Sequence, residues 1–316
     1  MSVKFAGLHH VTAIADNPQE NVDFYSGILG LRLVKKTVNF DDPGSYHLYY
    51  GDAVGNPGTI MTFFSWPGAP RGRIGTGQVS ATSFAVPEDS LGYWTERLLE
   101  HGVRFERPKK RFDETVLAFR DPDGLAVELV ARPGREGGEF WEQSPVPAEC
   151  AIRGISGVTL SERSRKVTAD LLADFLGFEE VGEEDGRTRY LTAGSGGSFA
   201  DVLEQPDGPR GLTAVGTVHH VAWRAPDEET QVTWREEISG RGFHVTPVLD
   251  RNYFRSIYFR EPGGVLFEIA TDPPGFTVDE DPDHLGENLK LPPWLEEDRE
   301  RIERVLPPVH PLQQRG

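Results

Sequence analysis

Residues 7–16 read GLHHVTAIAD and residues 217–226 read TVHHVAWRAP. Each is a short run of strand-forming residues with a histidine doublet, and each precedes a segment of helical spacing. After the first, Val22, Phe24–Tyr25 and Ile28–Leu29 recur at helical intervals, and Gly30 supplies a stop. Three more stretches of strand character follow: LRLVKKTVNF, YHLYYGD and GTIMTFFSW. Units of the same plan open at QVSATSFAVP and GISGVTLS, with helices SLGYWTERLLEHG and KVTADLLADFLG. In the last unit the helix QVTWREEISGRG leads to SIYFREPGGVLFEIAT. Gly102, Gly177 and Gly242 close the other helices where Gly30 closes the first, and DPDG (Asp121–Gly124) and EPGG (Glu261–Gly264) are turn sequences at the final hairpins of units two and four.

Units of about 55–65 residues exceed the roughly 20–50-residue period of solenoids. The expected fold is therefore α+β: four βαβββ modules forming two cupped mixed β-sheet barrels. The modules are placed at 1–70, 76–132, 151–206 and 214–272. A Gly/Pro-rich linker spans 133–150, and a C-terminal extension spans 273–316 with one helix near Trp294–Val305. The extension is expected to cover the sheet or a subunit interface, which leaves a homo-oligomer open.

The chain has 316 residues and a formal net charge of −17. That charge repels nucleic acid, and no basic cluster with interleaved aromatics offsets it. No window approaches the roughly 18 apolar residues of a membrane span, and the N-terminus lacks a secretory signal. The single cysteine, Cys150, excludes an intramolecular disulfide framework and points to a reducing cytoplasm. Acidic runs such as Asp279–Asp283 are read as solvated faces.

A strand alternates its side chains between two faces, so strict alternation admits one member of each histidine doublet to a given cavity. His219 shares a row with Val221 and Trp223, whereas His220 goes with Ala222 and Arg224; His9 goes with Val11 and Ala13, and His10 with Thr12 and Ile14. The more apolar rows should face the helices, which turns His10 and His220 inward and His9 and His219 away. In GVLFEIAT, Glu268 lies opposite the apolar row of Val265, Phe267 and Ile269. A lone strand histidine is more often a packed residue than a ligand. Two doublets at equivalent positions, with an inward carboxylate beside them, change that balance toward a metal site. Two imidazoles and one carboxylate suit non-haem iron(II) and leave positions open. Glu128 is the second unit's counterpart of Glu268, and Asp201 lies near the same place in the third, but VSATSFAV has no histidine and Gly157 stands where a ligand is needed. One site is expected, built from modules one and four, with modules two and three as scaffold.

The four-unit plan, with GLHHVT early, VHHVAWR late and GGVLFEIAT closing, resembles the vicinal oxygen chelate (glyoxalase/bleomycin resistance/extradiol dioxygenase) superfamily. More narrowly, the chain is similar to ring-cleaving dioxygenases related to hydroquinone 1,2-dioxygenases and bacterial quinone-resistance dioxygenases. The resemblance implies His10, His220 and Glu268 as metal ligands, iron(II) as the metal with manganese(II) as the second choice, and a small aromatic diol and dioxygen as substrates. It also implies catalytic positions at His9, Thr12, His219, Arg251 and Tyr258. Two competing expectations use the same scaffold. One is a glyoxalase-type lyase or isomerase, which takes two His and two Glu; the other is a non-catalytic small-molecule-binding protein.

Overall fold

The computed structural model describes residues 4–132, 138–192 and 198–312. Residues 133–137 of the expected linker lie outside the described residues. The described strands are β1 (Leu8–Ala15), β2 (Arg32–Asn39), β3 (Asp42–Gly51), β4 (Ile60–Ser65), β5 (Gln78–Val86), β6 (Lys109–Arg111), β7 (Glu114–Arg120), β8 (Ala126–Ala131), β9 (Ile155–Glu162), β10 (Glu179–Glu184), β11 (Arg187–Leu191), β12 (Phe199–Glu204), β13 (Val218–Ala225), β14 (Leu249–Asp250), β15 (Phe254–Arg260) and β16 (Leu266–Pro274). The α-helices are α1 (Pro18–Val22), α2 (Leu91–Glu100), α3 (Arg165–Asp170), α4 (Glu228–Gly240) and α5 (Arg299–Val305).

Two curled, mixed eight-stranded sheets result. One runs β14-β15-β16-β13-β1-β4-β3-β2, and the other β10-β11-β12-β9-β5-β8-β7-β6. The chain's first strands thus pair with its last, and its two middle groups pair with each other. In the first sheet β1 runs antiparallel to β13, while β4 and β16 run parallel to their inner neighbours.

Local chemistry sets the element ends. Asn17 accepts the N–H groups of Gln19 and Glu20 at the start of α1, and Asp227 accepts that of Thr230 in α4. α1 and α3 each widen into a π-helical turn, Asp23–Ile28 and Leu171–Phe175. The four stop glycines, Gly30, Gly102, Gly177 and Gly242, all have φ between 69° and 89°, a region L-side chains avoid. In the β7–β8 turn, Asp121 accepts the N–H groups of Asp123 and Leu125; Glu261 does the same for Gly263 and Val265 before β16.

The main core lies between sheets and helices, where Phe5 stacks on Trp223 at 5.9 Å and meets Trp234 edge-on. A second apolar cluster fills part of the inner face of the first sheet, with Val34, Tyr49, Phe254 and Ala270 closed over by Phe276 and Leu285 of the extension. The extension is anchored by Lys35. This side chain is fully buried, with Nζ 2.6 Å from the carboxylates of both Asp279 and Glu280. The reading of Asp279–Asp283 as a solvated face is therefore corrected at its start, where Asp279 and Glu280 are counter-ions to Lys35 and Glu280 is buried, while Asp281 and Asp283 are exposed as expected. Farther on, Tyr46 donates to Pro307 O.

Candidate metal centre

The central pair of strands departs from strict alternation. Leu8 and His10 of β1 face Trp223 and Ala222 of β13, so His9 is an extra residue; Thr12 and Ala13 face His220 and Val218, so His219 is another. These are β-bulges placed symmetrically across the pair. Each bulge lets apolar residues three apart, Leu8 and Val11 or Val218 and Val221, enter the same core. The expectation that His9 and His219 turn away is thereby overturned. Their Nδ1 atoms lie 2.9 and 2.8 Å from the Nδ1 atoms of His10 and His220.

His10, His220 and Glu268 come together, each offering a ligand atom, all within 4.8 Å of one another. The two Nε2 atoms are 3.3 Å apart, and Glu268 Oε2 stands 2.8 Å from that of His220 and 3.4 Å from that of His10. All three side chains are buried. Glu268 Oε1 accepts the Ser256 hydroxyl, but Oε2 has no hydrogen bond of good geometry. An uncompensated buried carboxylate is costly, and this oxygen points at two ring nitrogens whose opposite Nδ1 atoms are engaged by the other histidines. The donor set fits a divalent cation held by two nitrogens and one oxygen.

Burial opposes ionisation of Glu268, yet the facing imidazoles outweigh it and hold the carboxyl well below its usual range. Burial lowers His220 below the ordinary imidazole value, lowers His9 further, and takes His219 to about 3. These rings are therefore neutral at pH 7, the form that ligates.

Thr12, on β1, shares a 2.9 Å hydroxyl contact with Thr62, and Thr62 is 2.7 Å from His47 Nε2. Tyr49 OH lies 2.8 Å from His47 Nδ1. His47, Tyr49 and Thr62 were not among the expected site residues. A signal was present in YHLYYGD, since Tyr46, Leu48 and Tyr50 are the core row and leave His47 and Tyr49 facing inward. Tyr258 faces Glu268 across β15 and β16, with its ring 5.6 Å from that of His220. Burial pushes its hydroxyl pKa up, and the Glu268 charge adds to this. Arg251 lies in the β14–β15 turn, with its guanidinium carbon 5.5 Å from the Tyr258 ring centroid and a nitrogen 3.0 Å from Asp41.

Strand register defines a fourth position. Glu268 faces Ala222, two residues beyond His220, while Thr62 faces Thr12, two residues beyond His10. Thr62 therefore stands to His10 as Glu268 stands to His220. The second sheet repeats the frame, with bulges at Ser80 and Ser156 and with Ala81 and Gly157 in the two histidine places. Its carboxylates, Glu128 and Asp201, are paired with Arg111, Arg187 and Arg189. Guanidinium groups occupy in that half the region where the first half gathers its imidazoles.

The chain belongs to the glyoxalase/bleomycin resistance protein/dioxygenase superfamily, whose family model matches residues 7–129 and 166–269. It is 50% identical over 308 residues to the Bacillus subtilis (strain 168) protein named "Putative ring-cleaving dioxygenase MhqO", covering 98% of each chain. It is 35% identical over 309 residues to the chlorohydroquinone/hydroquinone 1,2-dioxygenase of Sphingobium indicum, covering 95% of each. A crystal structure of a B. subtilis protein described as a "putative dioxygenase" superposes with a TM-score of 0.93 at 50% identity, over 98% of this chain and 99% of that one.

Proposed function

We propose that the chain is an iron(II)-dependent ring-cleaving dioxygenase acting on a hydroquinone- or catechol-type diol. One observation carries the reading. Two imidazoles and a carboxylate converge, while the fourth symmetric place is held by Thr62, a neutral hydroxyl already tied to Thr12 and His47. Three protein ligands leave coordination positions for two co-substrates, as non-haem iron oxygenases require. A glyoxalase-type site needs a second carboxylate at that place, and a binding protein has no need of the convergent ligands. Manganese(II) is the second metal proposed for this donor set. The Sphingobium relative's name supports a hydroquinone-type substrate.

Iron(II), when bound by His10, His220 and Glu268, supplies the electron transfer between ring and dioxygen. The chain's own groups hold and orient. His9 and His219 accept a hydrogen bond from the Nδ1–H of the ligating rings, which fixes the tautomer and frees Nε2. They are positioning residues in this arrangement. Thr12 holds Thr62 and, through it, His47. Tyr258 donates to an oxygen of the bound diol. Arg251, which burial disfavours as a cation but Tyr258 and Asp41 keep charged, offsets negative charge on the ionised diol. Phe254 and Phe64 form apolar walls that exclude water. Among the described residues no helix is long and apolar enough to cross a membrane. The free Cys150 is compatible with a reducing cytoplasm.

The test is anaerobic loading with iron(II) to one equivalent, followed by hydroquinones or catechols under oxygen. Oxygen uptake with loss of the aromatic absorbance is expected. No uptake with any diol at full loading would overturn the proposal.

A further inference from the structure

The cavity that ends on His10, His220 and Glu268 has a volume of about 30 Å³. That is about the share of one water molecule, and far below the roughly 300–1,000 Å³ of ordinary ligand pockets. An aromatic ring enters only if a wall moves. Most of the wall cannot move cheaply. His10, His47, His220, Tyr258 and Glu268 lie on strands paired on both sides, within the first sheet. Phe254 is packed into the cluster sealed by the C-terminal extension.

The wall outside the strands is Arg251 of the β14–β15 turn and, facing it, the tip of the β2–β3 hairpin, Phe40 and Asp41, with Asn39 at the end of β2. β2 is the last strand of the sheet; beyond β3 the C-terminal extension holds it, with Lys36 bridged to Leu289, but the described bridges to the extension stop short of the tip. The β2–β3 ladder loses register at the tip: Val38 faces Tyr46, but Asn39 already faces Asp42. The tip is held by Phe40, which packs against both apolar clusters and the extension, and by one ion pair across the mouth. Phe40 meets the ring of Trp294 edge-on at 5.6 Å, and Asp41 Oδ2 lies 3.0 Å from the Arg251 guanidinium. The Asp41 side chain is 73% exposed and that of Arg251 18%. An ion pair with one partner in solvent is weak and screened by salt, so it opens readily.

We propose that this hairpin tip is the entry gate of the metal cavity, with Asp41–Arg251 as its latch. Asp41 is then a positioning residue, because closing the latch holds the Arg251 cation beside Tyr258. The gate rests on the proposed metal site, and only its second role rests on the dioxygenase reading.

Protein loaded with iron(II) under nitrogen is mixed with excess 1,10-phenanthroline, a neutral chelator, and the coloured complex is followed in time at low and high salt. Asp41→Asn is expected to release iron at least about threefold faster than the parent at low salt, and Asp41→Glu to restore the slower rate. Parent release is expected to speed up with salt toward the variant's rate, while Asp41→Asn release stays flat. Melting curves of all three proteins should coincide, since the carboxylate is exposed. Equal release rates and equal salt dependence in parent and Asp41→Asn overturn the gate. In diol turnover Asp41→Asn is expected to lower kcat, and Asp41→Glu to recover it; an unchanged kcat overturns the positioning role. If no diol is turned over but the release rates differ as expected, the gate stands and the dioxygenase reading falls.

Discussion

The Nδ1 atoms of His219 and His220 lie 2.8 Å apart, although the two residues are adjacent on one strand. Only a β-bulge allows neighbouring rings to meet in this way, and His9 with His10 repeats the contact on the partner strand. A ligand imidazole whose second nitrogen is held binds its cation in a preset orientation. His219→Ala is therefore expected to weaken iron(II) or manganese(II) binding by about 10- to 100-fold, as with other residues that orient ligands from behind. Competition titration against a chelator of known affinity measures this. Unchanged affinity would show that the contact is incidental.

Thr62 marks the difference between this site and one with four protein ligands. Thr62→Glu places a carboxylate where register puts the counterpart of Glu268. The variant is expected to keep or tighten metal binding and to lose oxygen uptake with diols by about tenfold or more, because an open position is filled. Metal content and oxygen electrode traces, with a melting curve to check folding, separate the two effects. Full oxygenase activity would mean that the fourth place is irrelevant.

Glu268→Gln addresses the triad itself. The buried carboxylate supplies the site's negative charge, so its amide should retain little iron(II) and show no diol-dependent oxygen uptake. Iron content equal to the parent's would count against ligation by Glu268.

A pH effect is expected far from the metal. Glu162, at the end of β9, is buried with one oxygen lacking a partner; burial and the charge of Glu261 push its carboxyl from 4.5 up to about 8. The folded chain then holds a proton that the unfolded chain has released, so this group's contribution falls as pH rises from about 4.5 through 8. Glu162→Gln should melt higher than the parent at about pH 9 and alike at about pH 5. Parallel curves across that range would refute the assignment.

Gly157 bears on whether the second sheet could hold a metal. A Cβ there would collide with the Phe199 ring, so Gly157→Ala is expected to cost about 1–3 kcal/mol in denaturant unfolding. A histidine at that place faces the same collision.

The fold was legible because its signals are local and repeated four times. Helical spacing ended by glycine recurs in each module, and those glycines carry the positive φ that makes them stops. Two things at the site were harder to read. Strict alternation misplaced His9 and His219, although Leu8 with Val11 and Val218 with Val221, three apart and both apolar, already carried the mark of a bulge. Partners distant in sequence left no mark at all. Lys35 with Glu280, Asp41 with Arg251, and Arg189 with Glu114 are joined only in the folded chain, and nothing in the spacing of any one announces the other.

The pairing of the chain's first strands with its last also fixes a chronology of synthesis. His10 leaves the ribosome early, and its partner His220 follows 210 residues later. The second sheet, drawn from contiguous middle segments, has all its strands available before the first one can close. A half-made chain therefore carries one histidine doublet without the other candidate ligands, His220 and Glu268. In the proposed reading, metal capture would then follow assembly: the three candidate ligands meet only after the first sheet has closed.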